Sequence, residues 1–275
     1  MEANYPCPPA SNFSLPQHHK TSAIQWGLEL RYNLLMKIHI IMHESFEAPG
    51  AIETWTKNRN CDVTYTRLYQ GDIFPQNIND FDYLIVMGGP QSPATTLEEC
   101  PYFDAINEIE FIDKAIRDNK YLLGICLGSQ LIGVALHTTF DHSPNREIGV
   151  FDIELTNQVS TDPIFSKFPK VFPVGHWHGD MPGLTAETKI LATSEGCPRQ
   201  VVRYSPKIYG FQCHFEFTKK SIEGMIENCS EELTKYKNLP YIQNAETLRK
   251  HDYDSINEKL LTFLDYMKTQ FEEGK

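Results

Sequence analysis

Three apolar runs limit what this chain can fold into more than any other feature: MKIHIIM at 36–42, DYLIVM at 82–87 and YLLGIC at 121–126. Each is nearly continuous rather than alternating, which is the pattern of a parallel strand buried on both faces beneath covering helices. Helical and extended patterns alternate around them. Strands are expected near 37–42, 62–68, 82–87 and 121–125, with a helix near 50–58 and another near 102–118 whose Phe103, Ile106, Ile109, Ile112 and Ile116 recur at helical spacing. That rhythm predicts an α/β fold with an open, mostly parallel sheet flanked by helices. A helix near 127–136 is followed by a meander of strands near 148–155, 171–175, 189–193, 200–204 and 208–213. Thr218 caps a predicted helix over 219–232. Ile256, Leu260, Phe263, Leu264 and Met267 mark a last helix near 246–271, which covers the sheet or makes a dimer face.

The chemistry is concentrated where the strands stop. Cys126 lies between Gly124 and Gly128 at the end of its strand, where small residues permit a sharp turn and the following helix aims free N–H groups at the sulfur. A helix N-terminus lowers a thiol pKa toward neutrality, so Cys126 is a candidate nucleophile, although an isolated cysteine among apolar residues also reads as a small core residue. At 208–216, IYGFQCHFE, a strand ends in His214 and Glu216, one residue apart and therefore on the same side of an extended backbone. His214 can take the thiol proton while Glu216 holds the imidazole in one tautomer, completing a nucleophile, base and orienter. Cys213 points the other way, into the core. The third strand runs into Gly88-Gly89-Pro90, a tight loop with exposed N–H groups that suits an oxyanion and also suits an ordinary surface turn.

In this order the three stretches resemble the class I (triad-type) glutamine amidotransferase family. Its Gly-x-Cys-x-Gly-x-Gln motif is matched by Gly124, Cys126, Gly128 and Gln130, its His-x-Glu by His214 and Glu216, and its glycine loop by Gly88, Gly89 and Pro90. The resemblance covers about residues 36–226, and in texture is nearest to stand-alone GMP-synthase-like amidotransferase proteins. It implies a flavodoxin-like core, catalysis by Cys126, His214 and Glu216, and an oxyanion hole from the N–H groups of Gly89 and Leu127. It also implies a substrate pocket that includes Gln130 and the loop Trp177, His178, Gly179 and Asp180, which stands where the GMP synthetase branch reads Ser-His-Gly-Asp. Arg146-Glu147-Ile148-Gly149 resembles that branch's Arg-Glu-Phe-Gly, a pocket-shaping segment. The implied reaction is hydrolysis of the glutamine side-chain amide through a cysteinyl thioester, with no cofactor.

Composition narrows the partners. Twenty-five basic against thirty-six acidic residues, a net charge of −11, speak against nucleic acid or an anionic membrane. Seven cysteines, at 7, 61, 100, 126, 197, 213 and 229, form neither a disulfide framework nor a Cys-x-x-Cys pair, and with no signal-peptide pattern this points to the cytoplasm. His176 and His178 alternate and with His214 would suggest zinc. Because His214 is claimed by Cys126, no metal is expected. Trp177 reads as a pocket wall, Asp180 as an acceptor for a substrate amino group or a loop cap, and Glu44, after His43, as a further substrate contact. Residues 1–35 are expected to be an extension, polar and flexible to about residue 22, with a short amphipathic helix through Ile24, Leu28, Leu34 and Leu35, and Met36 is a candidate natural start. Residues 36–275 are expected to form a single domain with extra C-terminal helices. Only 59 residues follow Glu216, too few for a fused synthetase domain, so ammonia would pass to a separate subunit. A γ-glutamyl peptidase or hydrolase using the same residues, and an idle regulatory module, are the alternatives.

Overall fold

The computed structural model describes residues 35–274, so the expectations for the first 34 residues lie outside the described residues. Nine strands form one sheet in the order β2-β1-β3-β4-β9-β8-β7-β5-β6. The four predicted parallel strands are β1 (Lys37–Met42), β2 (Asp62–Arg67), β3 (Tyr83–Val86) and β4 (Tyr121–Ile125). With β9 (Ile208–Phe211) they make the parallel, flavodoxin-like part, β4 pairing with β9 from Leu122–Ile208 to Ile125–Phe211. β8 (Val201–Ser205), β7 (Lys189–Thr193), β5 (Asp141–Leu155) and β6 (Val171–Met181) continue it as antiparallel neighbours.

Helices α1 (Ala51–Asn58), α2 (Ala105–Arg117) and α3 (Leu127–Ala135) flank the parallel part, dividing the core into two layers. The face of α2 differs from the one its isoleucines predict. Ile106 is 73% exposed, whereas Glu108 is buried on the inner side with Ala105, Phe111, Ile112 and Ala115. Glu108 is drawn in by His43, its carboxylate 3.0 Å from the imidazole Nε2. The predicted helix over 219–232 is two, α4 (Lys219–Asn228) and α5 (Ser230–Tyr236), broken at Cys229. Thr218 caps α4 through the Ser221 amide, as expected. The last segment also divides, into α6 (Ala245–Leu248) and the long α7 (Tyr253–Glu273). α7 covers the sheet: Phe263 packs with Phe165, Tyr209 and Phe211, and Asp265 accepts from Trp55 Nε1 at 2.8 Å and from Arg59.

Candidate active site

The site lies at the carboxyl ends of β1, β3, β4 and β9, the edge where open α/β sheets take their ligands. Cys126 caps the N-terminus of α3 with φ 51° and ψ −110°, a left-handed conformation that costs a non-glycine residue on the order of 1–3 kcal/mol. Its N–H donates to Phe211 O at 2.7 Å, tying the turn to β9. The flanking glycines are required by close backbone approach. A Cβ on Gly124 would stand 2.3 Å from Gly128 O, and one on Gly128 would stand 2.0 Å from Val86 O.

The His214 segment is held from four directions. His214 and Gly175 of β6 exchange backbone hydrogen bonds at 2.7 and 2.9 Å, and the Phe217 ring stacks on the imidazole with centroids 4.0 Å apart. The first amide of α1, Ala51 N–H, donates to Glu216 O at 2.9 Å, while Asn257 of α7 donates to Phe215 O at 2.7 Å and Phe217 O at 2.9 Å. So fixed, His214 Nδ1 lies 2.6 Å from Glu216 Oε1, both side chains buried. Burial opposes a charge on His214, but the Glu216 carboxylate and the Cys126 sulfur beside it outweigh burial and raise its pKa to about 10. His214 Nε2 has no hydrogen-bond partner among the described residues.

The cysteine differs from the sequence expectation in one respect. Burial pushes the Cys126 thiol up, and the opposing pull of His214 and the Leu127 N–H does not restore it. The helix N-terminus is present, but Cys126 is only 6% exposed and desolvation outweighs the dipole. Sγ lies 3.7 Å from Trp177 O and accepts from Gln212 Nε2 at 3.5 Å.

A cavity of about 490 Å³ opens beside the sulfur, lined by Gly89, Cys126, Gln130, Trp177, His178, Gly179 and Asp180 among others. Thus the predicted substrate-binding residues come together at one place with Gly89 and Cys126, whereas Leu127, His214 and Glu216 are buried and do not line the cavity. Trp177 is a wall, its Nε1–H donating to Glu232 Oε2 at 2.8 Å, and Arg146 reaches the same carboxylate at 2.5 Å. Asp180 is engaged by His142 at 2.7 Å. Glu44 does not line the cavity: Gln91 and Tyr102 take its carboxylate, and Gln91 itself faces the space.

Three groups were given no role in the sequence reading. Glu47 lines the cavity, its carboxyl raised to about 7 by burial against the opposing pull of His214 and His43. Gln212 joins Cys126, Ser129 and Gln130 through its amide. His43 is buried, and although burial opposes its charge, Glu108 and Gly88 O raise its pKa. Its Nδ1–H donates to Gly88 O at 2.9 Å. None of the three carries a motif, although Glu47 lies only three residues beyond the suspected Glu44.

A second polar cluster adjoins the cavity through His178. Glu147, His176 and His178 are all buried and bring one ligating atom each within 4.8 Å of one another. Burial lowers His176 to about 3 and also lowers His178, both against the opposing pull of Glu147. The Glu147 carboxylate is lowered, its own burial being outweighed by both histidines and the Ser194 hydroxyl. His214 is not a member of this cluster.

An open, mostly parallel α/β sheet with a cysteine elbow at this edge defines a class, and the family comparison gives it. Residues 51–233 match the family model "Glutamine amidotransferase class-I", and the chain belongs to that family. The glutamine amidotransferase-like protein YfeJ of Salmonella typhimurium is 46% identical over 230 residues, 84% of this chain and 96% of YfeJ. Among solved structures, SMU.1228c superposes with a TM-score of 0.82 at 46% identity, covering 85% of this chain and all of that one. A glutamine amidotransferase from Thermotoga maritima shares the fold with a TM-score of 0.74 at 24% identity, over 84% of this chain and 97% of that one. No described helix is long and apolar enough to cross a membrane.

Proposed function

We propose that the protein hydrolyses the side-chain amide of glutamine to glutamate and ammonia through a thioester on Cys126. The observation that carries this reading is the His214–Glu216 clamp at 2.6 Å beside a cysteine held at positive φ on the cavity wall. The Cys126–His214 pair gives up one proton to solvent, leaving a thiolate beside the His214 imidazolium, and the thiolate attacks the amide carbon. The oxyanion is received by the N–H groups of Gly89 and Leu127. His43 supports this arrangement: it holds Gly88 O, and because a trans peptide sets C=O and N–H on opposite sides, the Gly89 N–H is turned away from His43. His214 protonates the departing ammonia and then activates the water that cleaves the thioester, while Glu216 orients the ring and balances its charge. Gln130 and the part of β6 from Trp177 to Asp180, expected from sequence to be a loop, bind the substrate, and ammonia passes to a separate cytoplasmic synthetase subunit.

One observation favours a second reading, a γ-glutamyl peptidase or hydrolase. A cavity of about 490 Å³ is in the range that holds drug-sized ligands, larger than one amino-acid side chain requires. Purified protein offered glutamine and a γ-glutamyl dipeptide in parallel separates the two. Ammonia release from glutamine with little peptide cleavage is the expected result, and ammonia release no greater than that of a Cys126→Ala variant would overturn it.

A further inference from the structure

The Glu147–His176–His178 cluster has the dimensions of a metal-binding site. His178 Nε2 lies 3.3 Å from Glu147 Oε2, His176 Nδ1 lies 3.6 Å from the same oxygen, and the two nitrogens are 3.4 Å apart. Zinc bound tetrahedrally at about 2.0–2.2 Å requires its donor atoms to stand about 3.3–3.6 Å from one another. The three edges of this triangle fall in that interval, although the atoms come from two strands, Glu147 on β5 and both histidines on β6.

His176 Nε2 lies 3.4 Å from Phe151 O, so the tautomer that donates there turns its Nδ1 lone pair toward Glu147 and His178 Nε2. A metal ion in the triangle would take that lone pair while Nε2–H donates to the backbone, the second-shell arrangement common to metal-bound histidines. Gln200 supports the carboxylate from outside the triangle, its Nε2–H donating to Glu147 Oε2 at 2.6 Å.

We infer that Glu147, His176 and His178 form a site for a divalent transition-metal ion, zinc by the donor set, with the fourth tetrahedral position left to water. The site is distinct from the nucleophile, and the proposed amide hydrolysis does not pass through it. Its effect is to pin β5 to β6 and to fix the His178 ring beside the cavity.

The test uses the full chain, free of any affinity tag, stripped with a chelator and reloaded with Zn²⁺ alone. The expected result is one equivalent of zinc per chain, a higher melting temperature on loading, and intense visible bands of tetrahedral Co²⁺ when cobalt replaces zinc. Glu147→Gln and His176→Gln should each weaken Zn²⁺ binding at least about 100-fold, beyond the 10–100-fold typical of second-shell changes. Cys126→Ser should keep the full equivalent. Less than a tenth of an equivalent in the loaded wild type would overturn the site even if neither ligand variant folds, as would zinc lost in Cys126→Ser. Zinc kept undiminished by a folded His176→Gln would overturn it too.

Discussion

Two buried histidine–glutamate groups, joined by the Gly175–His214 backbone bridge, carry opposite charge states. Glu216 raises His214 to about 10, whereas His176 is lowered to about 3 with Glu147 nearby. The difference lies in what else each carboxylate holds. Glu216 Oε2 has no partner among the described residues, and Oε1 is 2.6 Å from the imidazole. Glu147 already accepts from Ser194 Oγ at 2.8 and 2.9 Å and from Gln200 at 2.6 Å, and its histidines stand off at 3.3 and 3.6 Å. A buried carboxylate charges a histidine when the histidine is its main donor. When other donors satisfy it first, desolvation wins and the ring stays neutral.

The comparison can be broken most directly at the sulfur. Cys126→Ala should lose about 10³-fold or more in glutamine hydrolysis, as expected when a covalent nucleophile is removed, and an unchanged rate would end the assignment. Next comes the contrast between the rings. His214→Asn should cost about 10²-fold or more in kcat, within the range of general acid–base catalysis, and His176→Asn less than about 3-fold. Equal losses would show that the charge states do not separate the two groups.

Glu216→Gln sharpens the comparison further. It should lower kcat on the order of 10–10²-fold. Because the lost carboxylate no longer raises His214, the acid limb of the rate profile should move to lower pH, and an unmoved limb would deny Glu216 its electrostatic part. The smallest effect is expected at Glu47, whose folded pKa of about 7 exceeds its unfolded value, so the stability linked to its proton is full below about 4.5 and is lost as pH rises through 7. Glu47→Gln should therefore melt later than wild type above pH 7, by about 1–3 kcal/mol in stability, with the difference closing in acid. A difference that persists unchanged at pH 4 would assign the effect to packing.

The residues read directly from sequence share a property: their signal is local. Gly124, Cys126 and Gly128 are constrained within five residues by one turn, and His214 and Glu216 by the two-residue period of an extended strand. The parallel strands were legible for the same reason, since burial on both faces is written into each run. Glu47, Gln212 and Glu232 owe their roles to partners far along the chain, as Trp177 Nε1–H does to a carboxylate 55 residues away. The amino-terminal part of β5 was missed because DHSPNRE reads as a turn, and the structure places a register shift between His142 and Glu147 there. Ile106 misled because periodicity cannot show that His43 would draw Glu108 inward.

The hydrogen bonds from Asn257 to Phe215 O and Phe217 O bear on how the protein is made. Chains emerge from the ribosome amino end first, so every strand of the sheet is available for pairing before α7 has been synthesised. Until α7 docks, the segment bearing His214 and Glu216 lacks one of its restraints, and the proposed nucleophile lacks a fully positioned base. On the proposed function, the helix most distant in sequence from the cysteine would thereby leave the hydrolytic centre incomplete until the fold around it is finished.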